Sequence, residues 1–156
     1  MRFLSLALAA GLMTLGLGCN SNSSAPPPTD SKSARMGAQE AMQLTGTWTV
    51  TAMEAGGSPV AADNVKSIQY VFDGDKVTVR RPDEPETTAP FSLDPTANPK
   101  TITFNFTPQS VKGIYSLEGN KLRLCLMMDD KPGAGFPTEM ASKASPRTNL
   151  LTLERK

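Results

Sequence analysis

From residue 47 onward, apolar and polar side chains alternate in short runs, and most runs stop at Gly, Pro, Asn or Asp. A period of two places successive side chains on opposite faces of an extended chain, so each run suits a strand with one buried face. The clearest is Thr101-Ile102-Thr103-Phe104-Asn105-Phe106-Thr107, with Ile102, Phe104 and Phe106 on one side. Before it, 47–54 groups Trp48, Val50 and Ala52. Ile68, Tyr70 and Phe72 mark a second strand, Val77 and Val79 a third, and Phe91 and Leu93 a fourth. After it come 113–118, then Leu122, Leu124, Leu126 and Met128 with Lys121, Arg123, Cys125 and Met127 on the reverse face. The last run, 150–155, sets Leu151, Leu153 and Arg155 together.

The breaks are as informative as the runs. Asp73-Gly74-Asp75 and Glu118-Gly119-Asn120-Lys121 read as hairpin turns. Gly56-Gly57-Ser58-Pro59 ends the first strand. Residues 59–66 then suit a short helix, with Ser58 as cap, Pro59 in the first turn, and Val60, Ala61 and Val65 turned inward. Eight short strands joined mostly by tight turns predict an all-β antiparallel meander, with that one short helix between strands 1 and 2. Closing the meander into a barrel removes its exposed edges. An open sheet or a sandwich satisfies the same pattern.

The N-terminal part is of another kind. Met1-Arg2-Phe3 is a short positive start, and residues 4–17 are apolar or small apart from Ser5 and Thr14. Such a run is too short to span a bilayer comfortably, so residues 1–18 read as a signal peptide. Residues 19–43 read as a tether. The Ser-, Asn-, Pro- and Lys-rich 20–34 has little to bury and is expected to be disordered, with Pro26-Pro27-Pro28 locally stiff. Residues 37–44 suit one or two helical turns before the folded domain, 44–156. The tether would hold that domain off a membrane; serving as a proline-rich recognition ligand is the other use of such a run.

Composition narrows the function classes. Among 156 residues, Lys+Arg number 16 and Asp+Glu 15, and no dense basic block offers a footprint for nucleic acid. There is no histidine, which excludes His-dependent nucleophilic triads and most zinc sites. The two cysteines, Cys19 and Cys125, sit in unlike settings and suggest no disulfide framework.

Three resemblances add to this. Leu15-Gly16-Leu17-Gly18-Cys19 resembles the bacterial lipoprotein box, with Gly18 as the small residue before the cut and Gly16 where that family usually has leucine. The resemblance implies acylation of Cys19 and anchoring in the cell envelope, and Asn20 in place of Asp implies the outer membrane. An ordinary cleaved signal peptide with a stray cysteine is the alternative. Gly46-Thr47-Trp48 resembles the Gly-X-Trp signature of lipocalins. There the tryptophan plugs the closed end of an eight-stranded barrel and an arginine packs on it; Arg155 is the matching candidate, since guanidinium over indole is a favourable cation–π contact. The long connection 55–66 stands where lipocalins place their lid loop. A wider resemblance, through 44–48, 71–79, 113–115, 122–125 and 137–139, is to a domain family of unknown function that recurs in planctomycete proteins. That family brings no activity or catalytic residues, and Lys143-Ala144-Ser145-Pro146 stands where it tends to be glycine-rich.

Candidate chemistry is sparse. Asp73, Asp75 and Glu84 occupy the first, third and twelfth positions of a calcium loop, but Thr78 replaces the needed glycine and Val77 a ligand, so a hairpin explains them better. Asp129-Asp130 reads as a polar loop entry and Cys125 as a packed thiol with no histidine to activate it. Thr138-Glu139 lacks a partner carboxylate for acid/base work. No cofactor, metal or catalytic constellation is expected, and an enzyme is the least favoured class. The expectation is a non-catalytic, exported, lipid-anchored, lipocalin-like barrel. It binds a small apolar ligand around Tyr70, Phe72, Phe104 and Phe106, or its barrel is filled and it serves as a structural or protein-interaction module of the envelope. The bulk of the inward set favours a largely filled interior, with at most a small pocket near the 55–66 lid.

Overall fold

The computed structural model describes residues 31–129 and 134–155. The expected signal peptide, Cys19 and the tether through residue 30 lie outside the described residues, as does Asp130.

Eight antiparallel strands close into a barrel, in the order β1 (Gly46–Ala55), β3 (Gln69–Asp73), β4 (Lys76–Arg80), β5 (Thr87–Asp94), β6 (Thr101–Asn105), β7 (Ser110–Glu118), β8 (Lys121–Met127) and β10 (Arg147–Arg155). Two-residue strands β2 (Ser58–Pro59) and β9 (Lys143–Ala144) hang on β1 and β10. Closure comes from β1 pairing with β10, with Trp48 opposite Arg155 and Val50 opposite Leu153. No barrel strand is left with an unpaired edge, which removes the template for edge-to-edge association. Inward residues are apolar and fully buried, among them Trp48, Val50, Phe72, Val77, Ile102, Phe104, Leu122, Leu124 and Leu153.

The first strand departs from strict alternation. A bulge at Thr51 shifts the register between Val50 and Ala52, so Ala52 pairs with Thr152 on the outside and Met53 turns inward against the core. One extra residue reverses every later side chain of the strand. The expected grouping of Ala52 with Trp48 and Val50 is thereby corrected. Ser58 and Pro59 pair back onto Ala55 and Glu54 as β2 instead of starting a helix. The helix α2 is only Ala62–Val65, and Ala61 stands at its N-cap without a side-chain hydrogen bond. Val60, Val65 and Ile68 pack against the core at this end of the barrel.

The helical turns expected at 37–44 are present, and the helix begins earlier, at residue 31, inside the stretch 20–34 expected to be disordered. Helix α1 (Ser31–Leu44) carries Ala34, Ala38 and Ala41 among residues that favour helices. Tertiary burial outweighs its polar composition. Gly37 and Leu44 are buried and Ala41 packs on the core, a stripe at i, i+4 and i+7. Gly37 approaches so closely that a Cβ there would stand 3.0 Å from the Leu93 carbonyl oxygen. Ser33 hydrogen-bonds Asp94 at 3.3 Å, and Glu40 pairs with Lys100 at 2.6 Å. Helix α1 therefore runs along the rim formed by the end of β5, the start of β6 and the end of β10.

A second layer covers the outer face of β7, β8 and β10. Cys125 and Ile114 point away from the axis, yet both are buried. The Cys125 thiol donates to the Ala141 carbonyl at 3.3 Å, and Thr148 Oγ1 donates to the same oxygen at 2.9 Å. The two faces of β8 are therefore both apolar at Cys125, which alternation alone does not show. Met128, expected inside, lies past the end of β8 and is exposed.

Gly113 faces inward where β7 meets β8. A Cβ at this position would lie 2.7 Å from both the Cys125 carbonyl oxygen and Leu126 Cδ2. Gly113→Ala is expected to destabilise the chain by about 1–3 kcal/mol, measured by urea denaturation followed through Trp48 fluorescence. An unchanged midpoint would show that the β7–β8 backbone yields at this point.

Candidate functional site

The interior holds one contiguous aromatic cluster. Alternation on β3 brings Tyr70 and Phe72 to the same face, and β5 and β6 add Phe91 and Phe104 directly opposite each other. Phe72 meets Phe91 edge-to-face at 5.2 Å between centroids, and Phe104 lies 6.4 Å from both Tyr70 and Phe72. Phe106, just beyond β6 and half-buried, stands 6.1 Å from Phe104. These separations fit mutual aromatic packing. The four residues considered for a ligand pocket, Tyr70, Phe72, Phe104 and Phe106, are thus brought together and pack mainly on one another. Phe91 completes the set; its alternation with Leu93 was the available signal.

The α1 end is closed by Trp48 and Arg155. Their strands pair them directly, and the guanidinium carbon of Arg155 lies 4.4 Å from the indole centroid. Trp48 Nε1 donates to the Leu44 carbonyl at 2.7 Å, and Arg155 donates through a terminal guanidinium nitrogen to the Gln43 carbonyl. These carbonyls belong to the last turn of α1, where backbone acceptors lack intrahelical partners. Helix α1 has no basic residue in its own last turn, so Arg155 supplies the cation that the negative helix end favours. The sequence pattern gave no hint that the helix end would be part of this plug, although Leu44 stands four residues before Trp48.

Polar groups inside are few. Tyr115 Oη, Asn149 Oδ1 and Arg155 Nε are buried without a hydrogen-bond partner among the described residues. Burial holds the Tyr115 phenol above its ordinary range, reinforced by the nearby Glu40 carboxylate. Burial likewise raises Tyr70, partly offset by Arg81. Burial also pushes the Cys125 thiol up, which leaves it poorly suited to nucleophilic work.

The calcium-loop positions separate. Asp73 and Asp75 flank the β3–β4 turn, whereas Glu84 lies past the far end of β4 and pairs with Arg81 at 3.0 Å. Asp129 accepts a hydrogen bond from the Arg147 amide at 3.3 Å. Glu139 pairs with Lys143 beside a shallow pocket of about 60 Å³ against Thr148. Organic ligands bind in pockets of roughly 300–1,000 Å³, so this one has room for water-sized occupants. Cys19 lies outside the described residues. No protein-family model, curated protein or solved structure matches this chain.

Two outcomes follow from the plug and the buried phenols. Arg155→Lys keeps the charge but loses the planar face and the fork that reaches Gln43. Stability should fall by about 1–2 kcal/mol, read as a shifted denaturant midpoint; an unchanged midpoint would separate the guanidinium from closure of this end. For Tyr70 and Tyr115 the neutral phenol is favoured in the folded state, and their ordinary value is 10.0. Their contribution is complete below that pH and is lost as pH rises above it. Thermal midpoints should therefore drop from about pH 10 upward, and Tyr115→Phe should flatten that drop.

Proposed function

We propose that the chain is a non-catalytic, lipid-anchored module of the cell envelope whose filled barrel acts through its outer surface. The observation that supports this reading is the packed cluster of Tyr70, Phe72, Phe91, Phe104 and Phe106 on the barrel axis. Eight strands enclose an interior that side chains can just fill, and here large aromatic side chains occupy it. Both ends are covered, one by Trp48, Arg155 and α1, the other by Val60, Val65 and Ile68. The anchor part of the reading draws on the lipoprotein-like sequence ending at Cys19 and on the polar stretch behind it. A lipocalin-like carrier of a small apolar ligand is the competing reading, drawn from Gly46-Thr47-Trp48 and the long 55–66 connection.

Native mass spectrometry of the full chain purified from envelope membranes, with organic extraction, separates the two readings. The expected result is no retained molecule at stoichiometry and no saturable Nile red binding. Phe104→Ala should cost about 3–5 kcal/mol and open a cavity. Nile red uptake by that variant alone would show that the native ring fills the space. A stoichiometric apolar molecule on the native chain would establish the carrier instead.

A further inference from the structure

Helix α1 has two unlike faces. Towards the barrel it turns Gly37, Ala41 and Leu44, with Ser33 and Glu40 bonded to Asp94 and Lys100. Away from it stand Lys32, Arg35, Met36, Gln39 and Met42, all exposed, with Met42 at 78%. Lys32, Arg35, Gln39 and Met42 follow a spacing of three and four residues, so they form one line along the helix. The one acidic residue of α1, Glu40, is on the inner face and neutralised by Lys100. Lys32 and Arg35 make no ion pair among the described residues. The outward face is thus cationic and carries two solvent-facing thioether side chains, Met36 and Met42, a chemistry that suits a surface with negative headgroups over an apolar layer.

Chain length says which element can meet such a surface. Cys19 precedes Ser31 by twelve positions, so the chain between them reaches at most about 40 Å, and roughly 20 Å on average if flexible. An acyl chain at Cys19 would hold α1 nearest the bilayer, at the high effective concentration a short linker gives.

Resting on the lipid-anchor reading, we propose that the outer face of α1 docks on the anionic membrane surface, with Lys32 and Arg35 at the headgroups and Met42 at the acyl boundary. The anchor then fixes orientation as well as location, because α1 is bonded to the barrel rim.

Two measurements separate this proposal from the anchor on which it rests. The mass of the chain purified from membranes reports acylation of Cys19 directly. The docking face is read with the mature chain, residues 19–156, carrying Cys19→Ser, titrated with vesicles of equimolar phosphatidylcholine and phosphatidylglycerol and with pure phosphatidylcholine vesicles. Binding should require phosphatidylglycerol and weaken with salt. At about fivefold per lost cation near the surface, Lys32→Gln with Arg35→Gln should weaken it about 30-fold. Lys66→Gln, at the opposite end of the barrel, should leave it unchanged. Equal binding to both vesicle types, no loss in the double variant, or an equal loss in Lys66→Gln would overturn the docking face even if Cys19 is acylated. Binding with these properties by a chain whose Cys19 proves unmodified in the cell would keep the face and overturn the anchor. Trp48 fluorescence checks that each variant is folded.

Discussion

A buried carbonyl group must be given a partner, and that of Leu44 at the end of α1 finds one at the seam where this barrel closes. The Leu44 carbonyl sits under the barrel rim, where water cannot reach it freely, and the indole N–H of Trp48 satisfies it. The Gln43 carbonyl takes the guanidinium of Arg155. One interaction set therefore joins the helix before the first strand, the first strand itself and the last strand. The pairing of β1 with β10 closes the sheet, and the Trp48–Arg155 stack stands on that seam. Tryptophan suits the position because it combines a large apolar body with a single donor. Arginine suits its own because a flat cation both stacks on the indole and reaches a carbonyl.

The sequence shows most of the barrel and little of what covers it. Each of the eight barrel strands was visible because half-buried strands must alternate and because Gly-Asp and Gly-Asn pairs mark the two-residue hairpins. The bulge at Thr51 was hidden, since Ala52 and Met53 are both acceptable on an inner face and only the pairing with Leu151 and Thr152 decides between them. The first part of α1 was hidden for a different reason. Its composition is that of a solvated linker, and its helicity depends on the rim formed by residues more than fifty positions later, such as Asp94 and Lys100. Cys125 was placed on the correct face of its strand, but the segment ending in Ala141, Ser142 and Lys143 folds over that face. The four aromatic residues considered for a pocket were identifiable from alternation. What alternation leaves open is whether such residues line a space or occupy it, because that depends on barrel radius and on distances between strands far apart in the chain.

The distribution of polarity bears on how the barrel meets its surroundings. Outward positions along the strands include Thr47, Thr49, Thr78, Thr88, Thr103, Lys112 and Arg123, while the axis carries the apolar set. A barrel that spans a bilayer shows the reverse, an apolar band outside and a polar lumen. Thr78 and Thr88 even bond to each other across β4 and β5 on the outer face, at 2.8 Å. Any association with a membrane must then come from elements outside the strands. That requirement agrees with placing the contact on α1 and on an acyl group upstream of it.

The two ends of the barrel are consequently not equivalent. At the α1 end two of the three hairpin connections are turns of two residues each, through Gly74 and Gly119, and the third, 95–100, is taken up by α1, which meets it at Pro95 and Lys100. At the other end lie the 56–68 connection with α2, the loop between β4 and β5, the Asn105–Ser110 connection and the long excursion between β8 and β10. Short turns give little area for a partner, whereas long connections on a rigid scaffold are where recognition surfaces usually sit. If α1 lies on the membrane, those longer connections face away from it, into the compartment. The aromatic packing of the interior suits that arrangement, because a close-packed core holds the loop bases at fixed separations. Such loops on a packed scaffold agree with the surface-acting module proposed above.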